Sequence, residues 1–411
     1  MKGLKFEVKK ALTQKKTWFM LVLVLLYCIG LVFVLNRKEK DFLAQQQRYN
    51  QNTIEEYSGL LSMARIKIMD LEYREPENHT EIAKQEREAE FYQHLYSKSL
   101  LSEEIYNKMA LRKELSQSEL SILFMNNKSM DQVILNGYIE GVVDESWMEE
   151  RSLTQEKLEK QITDYENIET LDIKYEPNPY VLNAKNYIKF FLQQMNIFII
   201  LVLILFISIN DYEGEIEEGS YKLIYTSPWN RKSLLLSKYI VRSIVNLLLI
   251  VIPVSIVILM IGLSFGWGNM LYPVRVSEEA MKLSLLLISN NETYISTSGY
   301  LGFQTIGFIF IIIFQTIIGV SLSVLLEDSS TSFGLVLGIM IVSFIGSMLD
   351  NILAVQVFFN PWIFMDFTAI LSINTKVSMY YGVILQLLIM IIVTMYTSYI
   401  FNKRDLIGGK S

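Results

Sequence analysis

Cysteine, histidine and proline are scarce in this 411-residue chain, at one, two and seven copies, and charged residues make up only 19%. The lone cysteine, Cys28, lies inside an apolar run, which rules out an intramolecular disulfide and a cysteine-based zinc site. His79 and His94 stand among charged residues and read as solvated side chains rather than ligands, so no metal is expected. There is no basic tract and no interleaving of basic with aromatic residues, which excludes nucleic acid as a partner.

Charge is missing altogether from six stretches: Trp18–Leu35, Phe190–Ile209, Ser243–Phe265, Tyr300–Leu326, Thr331–Leu349 and Val377–Phe401. Each is close to the ~20 residues a helix needs to cross a hydrocarbon core about 30 Å thick. With 51% hydrophobic residues and a mean hydropathy of +0.29, the pattern predicts an all-α polytopic membrane protein with six transmembrane helices. Trp18–Leu35 is followed by Asn-Arg-Lys-Glu-Lys rather than by a small-residue cleavage site, so it reads as a retained span and not as a signal peptide.

Orientation follows from basic residues in short loops. Residues 1–17 carry six lysines against one glutamate, residues 210–242 carry five Lys or Arg, and Lys403, Arg404 and Lys410 follow the last span. The expected topology is multi-pass in a cell membrane with both termini cytoplasmic. Before the first span, Leu4, Val8, Ala11 and Leu12 recur at helical spacing while Lys5, Lys9 and Lys16 take other faces, which predicts an amphipathic helix at the membrane surface.

Residues 36–189 hold 20 basic and 29 acidic residues and form an expected extracellular domain. Apolar positions such as Ile54, Tyr57, Leu61, Ala64, Ile68 and Leu71 recur at helical intervals, so the domain reads as mainly helical. The run Met130–Val143, with Gly137 and Gly141 inside it, reads as either a strand pair or a buried helix. Three short Asn-x-Ser/Thr matches, at Asn78, Asn127 and Asn291, carry little weight. The implied division is 1–35, 36–189 and 190–411. Within the last, residues 350–376 are apolar but broken by Asn360-Pro361-Trp362, which suggests a re-entrant segment.

Energy sources are also constrained by absences. The six stretches hold no carboxylate or histidine for a coupling ion. The ending Gly408-Gly409-Lys410-Ser411 fails as a phosphate-cradling loop because Arg404 occupies the first glycine position. No nucleophile elbow and no zinc-protease pair is present, so no catalytic residue is assigned and the chain reads as a non-enzyme. Any energy used must come from another polypeptide.

One segment has a logic of its own. After the second stretch, Glu213, Glu215, Glu217 and Glu218 crowd what reads as the first turns of a short helix, where carboxylates suit the positive end of the helix dipole. Lys222, Arg231 and Lys232 follow, and Thr226-Ser227-Pro228 supplies a turn before the next helix. A solvated loop is the alternative reading. The order Glu213, Glu217, Glu218, Gly219, Ser220, Leu223, Ile224, Thr226, Ser227, Pro228, Arg231, Leu234, Leu235, Lys238 closely resembles the cytoplasmic loop of ABC-2-type transporter permeases. A basic interface helix, six spans and a large outer insert resemble the plan of the same family.

The resemblance implies a permease subunit whose loop, with Glu213, Glu215, Glu217, Glu218, Gly219, Ser220, Lys222, Thr226, Pro228 and Arg231, couples to a separate cytoplasmic ABC ATPase. ATP and Mg would be bound by that partner, and this chain would carry no cofactor. A second permease, identical or homologous, and membrane lipid are the other implied partners. The insert itself resembles no nameable domain, but having one after the first span makes the plan similar to that of sodium, drug and antimicrobial-peptide exporters, and the richness in Ile, Lys, Asn and Tyr resembles Gram-positive bacterial chains. Export of an amphipathic or hydrophobic substrate is the expected function. The alternative is a sensor or immunity permease that binds an antimicrobial peptide or cell-wall intermediate with little transport. No substrate-binding residue is assigned.

Overall fold

Inside hydrocarbon a backbone finds no polar partner except itself, so a charge-free run of ~20 residues must close its own hydrogen bonds as a helix. In the computed structural model the charge-free stretches are helical wherever they are described, apart from a break at Leu192 and Gln193 in the second. The structure describes residues 2–111, 115–217, 231–277, 292–326, 328–347, 360–362 and 379–403. They fall into two units, one of Met1–Phe33, Asn183–Met270 and Val274–Ser411, the other of Val34–Leu182 and Leu271–Pro273.

The helices in chain order are α1 (Lys2–Thr13), α2 (Lys15–Arg74), α3 (His79–Ala110), α4 (Gln117–Ile139), α5 (Glu145–Glu150), α6 (Gln155–Thr170), α7 (Ala184–Phe191), α8 (Gln194–Glu217) and α9 (Arg231–Phe265). Two short paired strands, β1 (Pro273–Ser277) and β2 (Glu292–Ser296), precede α10 (Thr297–Leu326), α11 (Ser329–Ser347) and α12 (Met379–Lys403). The fold is all-α and polytopic, with a strand pair that the sequence pattern did not suggest. Helices α2, α9, α10, α11 and α12 are long and apolar enough to cross a bilayer. Counted as one span, the bent pair of α7 with residues 194–210 of α8, whose two parts meet at 63°, makes six. At that break the Asn196 amide donates to the Phe190 carbonyl at 2.6 Å, supplying a partner to a backbone group near the interruption.

Within the membrane unit α10 packs against α8, α9, α11 and α12. A Cβ added to Gly319 would come within 2.8 Å of Ser208, so the missing side chain is what lets α8 and α10 approach. Helix α9 contains Pro253 and ends where Gly266, at φ +89°, donates back to the Gly262 carbonyl at 3.1 Å. Many of the outward side chains of α9, such as Ile244, Leu248, Ile252 and Leu263, are apolar and exposed, as expected for a surface that meets lipid.

The second unit is built by ordinary soluble-helix rules. Asn78, Ser116, Asp144 and Thr154 cap α3, α4, α5 and α6 by accepting from backbone N–H groups of the first turn. Ser116 and Glu119 form a reciprocal capping box. The main core joins Tyr57 and Leu61 of α2, Phe91 and Leu95 of α3, Ile134 of α4, Met148 of α5 and Leu158 of α6. A smaller one joins Leu43, Ile105, Tyr106 and Leu123. Residues 130–139 of the ambiguous run are helical and end α4, and Gly141 turns the chain at φ +72°. A Cβ on Gly137 would stand 2.5 Å from the Phe91 ring, which explains a glycine inside that helix.

Candidate functional site

A polar side chain inside an apolar bundle is costly unless it finds a partner, so each one found there must be held by its neighbours. The membrane unit carries three such groups. The first joins α1 to α9: the Lys238 ammonium lies 3.3 Å from the Glu7 carboxylate, and both are buried. Arg242, one turn further along α9, is buried too. Helix α9 begins at Arg231, twelve residues before the charge-free stretch, so Lys238 and Arg242 belong to it. Helix α1 covers the stretch expected to form an amphipathic helix. Glu7 and Ala11 face inward, while Phe6, Val8 and Leu12 are exposed.

The second group ties α8, α9 and α10 together. Asn246 donates to Ser208 Oγ and to Thr316 Oγ1, both at 3.0 Å. Ser323 donates to the Ile209 carbonyl at 2.6 Å, and the Tyr239 and Ser321 hydroxyls share a hydrogen bond of 2.7 Å. The third surrounds the tip of the expected re-entrant segment, of which residues 360–362 are described. The Trp362 indole donates to Gln315 Oε1 of α10 at 2.7 Å, and its ring meets Phe314 edge-on at 5.2 Å. Gln386 of α12 donates to the Pro361 carbonyl at 3.1 Å, and Asn360 donates to Ser343 of α11 at 2.6 Å. Three helices therefore grip one Asn-Pro-Trp turn. Gln304 of α10 is also buried, and neither of its amide atoms has a hydrogen-bond partner among the described residues.

These contacts gather several helix ends at one end of the bundle. Lys16 donates to the Asn210 carbonyl at 3.2 Å, and Arg231 Nη1 donates to the Asn402 carbonyl at 3.4 Å. The start of α2, residue 210 of α8, the start of α9 and the end of α12 are thus neighbours in pairs. Of the coupling residues expected from sequence, Arg231 opens α9. Residues Glu213, Glu215 and Glu217 are helical and continuous with α8, and the chain after Glu217 up to Arg231 lies outside the described residues. Glu218, Gly219, Ser220, Lys222, Thr226 and Pro228 lie outside the described residues.

Glu7, Arg242, Asn246 and Gln315 were not singled out from sequence, and Lys238 and Trp362 entered only through the family resemblance and the Asn-Pro-Trp break. A signal existed for two of them. Lys238 and Arg242 stand four apart, in register with Leu234, Leu235, Tyr239 and Val245, so the helical pattern runs back past the point where charge ends the apolar stretch. Among the described residues, no three His, Cys, Asp or Glu side chains gather as metal ligands.

No curated protein and no solved structure gives a significant match to the chain. The model of a family described as ABC-2 family transporter protein matches residues 3–406, which takes in both units and every helix from α2 to α12. With its five or six apolar helices, the chain belongs to the ABC-2 transporter family as a multi-pass membrane permease.

Proposed function

We propose that this chain is the permease subunit of an ATP-driven exporter that moves an amphipathic or hydrophobic substrate, such as an antimicrobial or signalling peptide, a lipid or a drug, out of a bacterial cell. The family works with an ABC ATPase, and this reading places that ATPase on the cytoplasmic side, against residues 210–232, with a second permease completing the transporter. The observation that carries it is the gathering of helix ends around that segment: α8 leads into it, and α9 leaves it stapled to α1 through Glu7 and Lys238 and to α12 through Arg231. A push on the segment would reach three helices at once. The cations at this end, Lys16, Arg231, Lys232, Lys238, Arg242 and Lys403, support its assignment to the cytoplasmic face, together with both termini.

The test is ATP hydrolysis by the permease co-purified with its ATPase and reconstituted in lipid, with and without cationic amphipathic peptides. Stimulation is expected, and it should disappear in the charge-reversed variant Glu217→Lys/Glu218→Lys while membrane insertion is unchanged. Tight peptide binding with unaltered hydrolysis would overturn export in favour of sensing. Recovery of no ATPase would overturn the pairing itself.

A further inference from the structure

A groove of about 570 Å³ runs between α9, α10 and α12. Its walls are aliphatic, set by residues such as Ile240 and Ile244 of α9, Ile317 of α10, and Leu387 and Ile391 of α12, with the Tyr239 ring at one side. Ile240, Ile244, Leu387 and Ile391 are exposed, so the groove opens on the face that meets lipid. Its depth is set by helix geometry. Ile240 and Ile244 stand nine and thirteen residues past Arg231, roughly 14 and 20 Å along the axis at 1.5 Å per residue. Leu387 and Ile391 precede Lys403 by sixteen and twelve residues, roughly 24 and 18 Å. Leu236 and Met395 also line it, roughly 8 and 12 Å from those cations, so the groove runs from the near leaflet down to about the middle of the bilayer.

The same two helices that flank the groove end in Arg231 and Lys232 on one side and Lys403 on the other. The Arg231 guanidinium donates to the Asn402 carbonyl at 3.4 Å, which brings the two ends together. Lys232 and Lys403 are exposed, and the Lys403 ammonium stands 4.4 Å from the Tyr399 ring centroid. An aliphatic groove one leaflet deep, capped at headgroup level by three cations, matches a phospholipid with a negatively charged headgroup. Basic groups between helix ends are a known way of holding such headgroups.

We infer that this groove holds an anionic phospholipid as a resident structural ligand, one acyl chain lying along Ile244 and Ile391 and the headgroup facing Lys232 and Lys403. The apolar walls hold the chain, and the cations select the charge. A neutral lipid of the same chain length would fill the groove but be held more weakly.

The test uses the full-length permease, stripped of lipid in detergent and titrated with dioleoyl phosphatidylglycerol or dioleoyl phosphatidylcholine, with bound lipid counted by native mass spectrometry. Phosphatidylglycerol should be retained over phosphatidylcholine by roughly tenfold, and Lys232→Gln/Lys403→Gln should remove that preference. Lys232→Arg/Lys403→Arg should keep it, which separates loss of charge from loss of fold. Ile244→Trp should cut retention of either lipid, with size-exclusion behaviour confirming an intact protein. Equal retention of the two lipids would overturn the headgroup assignment, and unchanged retention in Ile244→Trp would overturn the groove. A disulfide-linked dimer formed by Ile244→Cys or Met395→Cys in native membranes would assign the face to a second copy of the chain and overturn the proposal. None of these readouts depends on ATPase activity, so failure here leaves the exporter reading untouched.

Discussion

The Glu7 carboxylate and the Lys238 ammonium, 231 positions apart in sequence, lie 3.3 Å from each other with almost no solvent contact. Removing one member of a buried pair leaves the other charge uncompensated, which costs about 3 kcal/mol or more. Glu7→Ala and Lys238→Ala should each lower the thermal stability of the detergent-solubilised permease. Glu7→Met/Lys238→Met should recover most of the loss, because two well-packed apolar groups need no partner. If either single variant melts like the parent, α1 is not anchored through this pair.

Trp362 and Gln315 make a second test. Trp362→Phe keeps the ring contact with Phe314 but leaves the buried Gln315 oxygen without its donor, at a cost of about 1–3 kcal/mol. Gln315→Leu leaves the indole N–H in the same position. The double variant should be less destabilised than the sum of the two, a coupling read directly from a double-mutant cycle on thermal unfolding. Strict additivity would mean the contact does not hold the turn.

The unit of Val34–Leu182 and Leu271–Pro273 has a titration of its own. Burial pushes the Asp131 carboxyl on α4 up to about 7, against an opposing pull from Lys157. Its surroundings include Tyr165 and Tyr175, which burial likewise keeps protonated. A carboxyl whose folded pKa lies above its unfolded value binds its proton more tightly in the fold. Its contribution is full below about pH 4 and is lost as pH rises through 7. Raising pH from 5 to 8 should therefore destabilise this unit by on the order of 2 kcal/mol. Unfolding followed through Trp147 fluorescence should show that slope in the parent and not in Asp131→Asn. The same slope in both would assign it to other groups.

The apolar stretches were legible because hydrocarbon enforces helix wherever charge is absent, and five of the six appear as single helices. The second became a bent pair, since the Asn196 contact that accommodates the break involves a residue whose role a hydropathy reading does not see. The first helix was also legible, but the inward turn of Glu7 was not, because its partner Lys238 stands on another helix. Long-range pairs of this kind leave no local mark. The strand pair β1–β2 was missed for a similar reason, as Arg275 and Tyr294, whose side chains hydrogen-bond at 3.0 Å, are brought together only by the fold. For the coupling segment, the resemblance pointed to the right family, and Glu213, Glu215 and Glu217 continue α8.

Pro253 gives α9 a mechanical character. With no N–H to offer, it leaves the Leu249 carbonyl without its usual helical partner, and the helix is weakest in bending there. One arm of α9 is fastened to α1 and α12 through Lys238 and Arg231. At the other, Gly266 and Trp267 accept backbone bonds from Ala184 and Lys185 of α7. A rod clamped at both ends and softened between them behaves as a lever with its fulcrum inside the bilayer. Bending of α9 is therefore expected at Pro253 rather than at either fastened end.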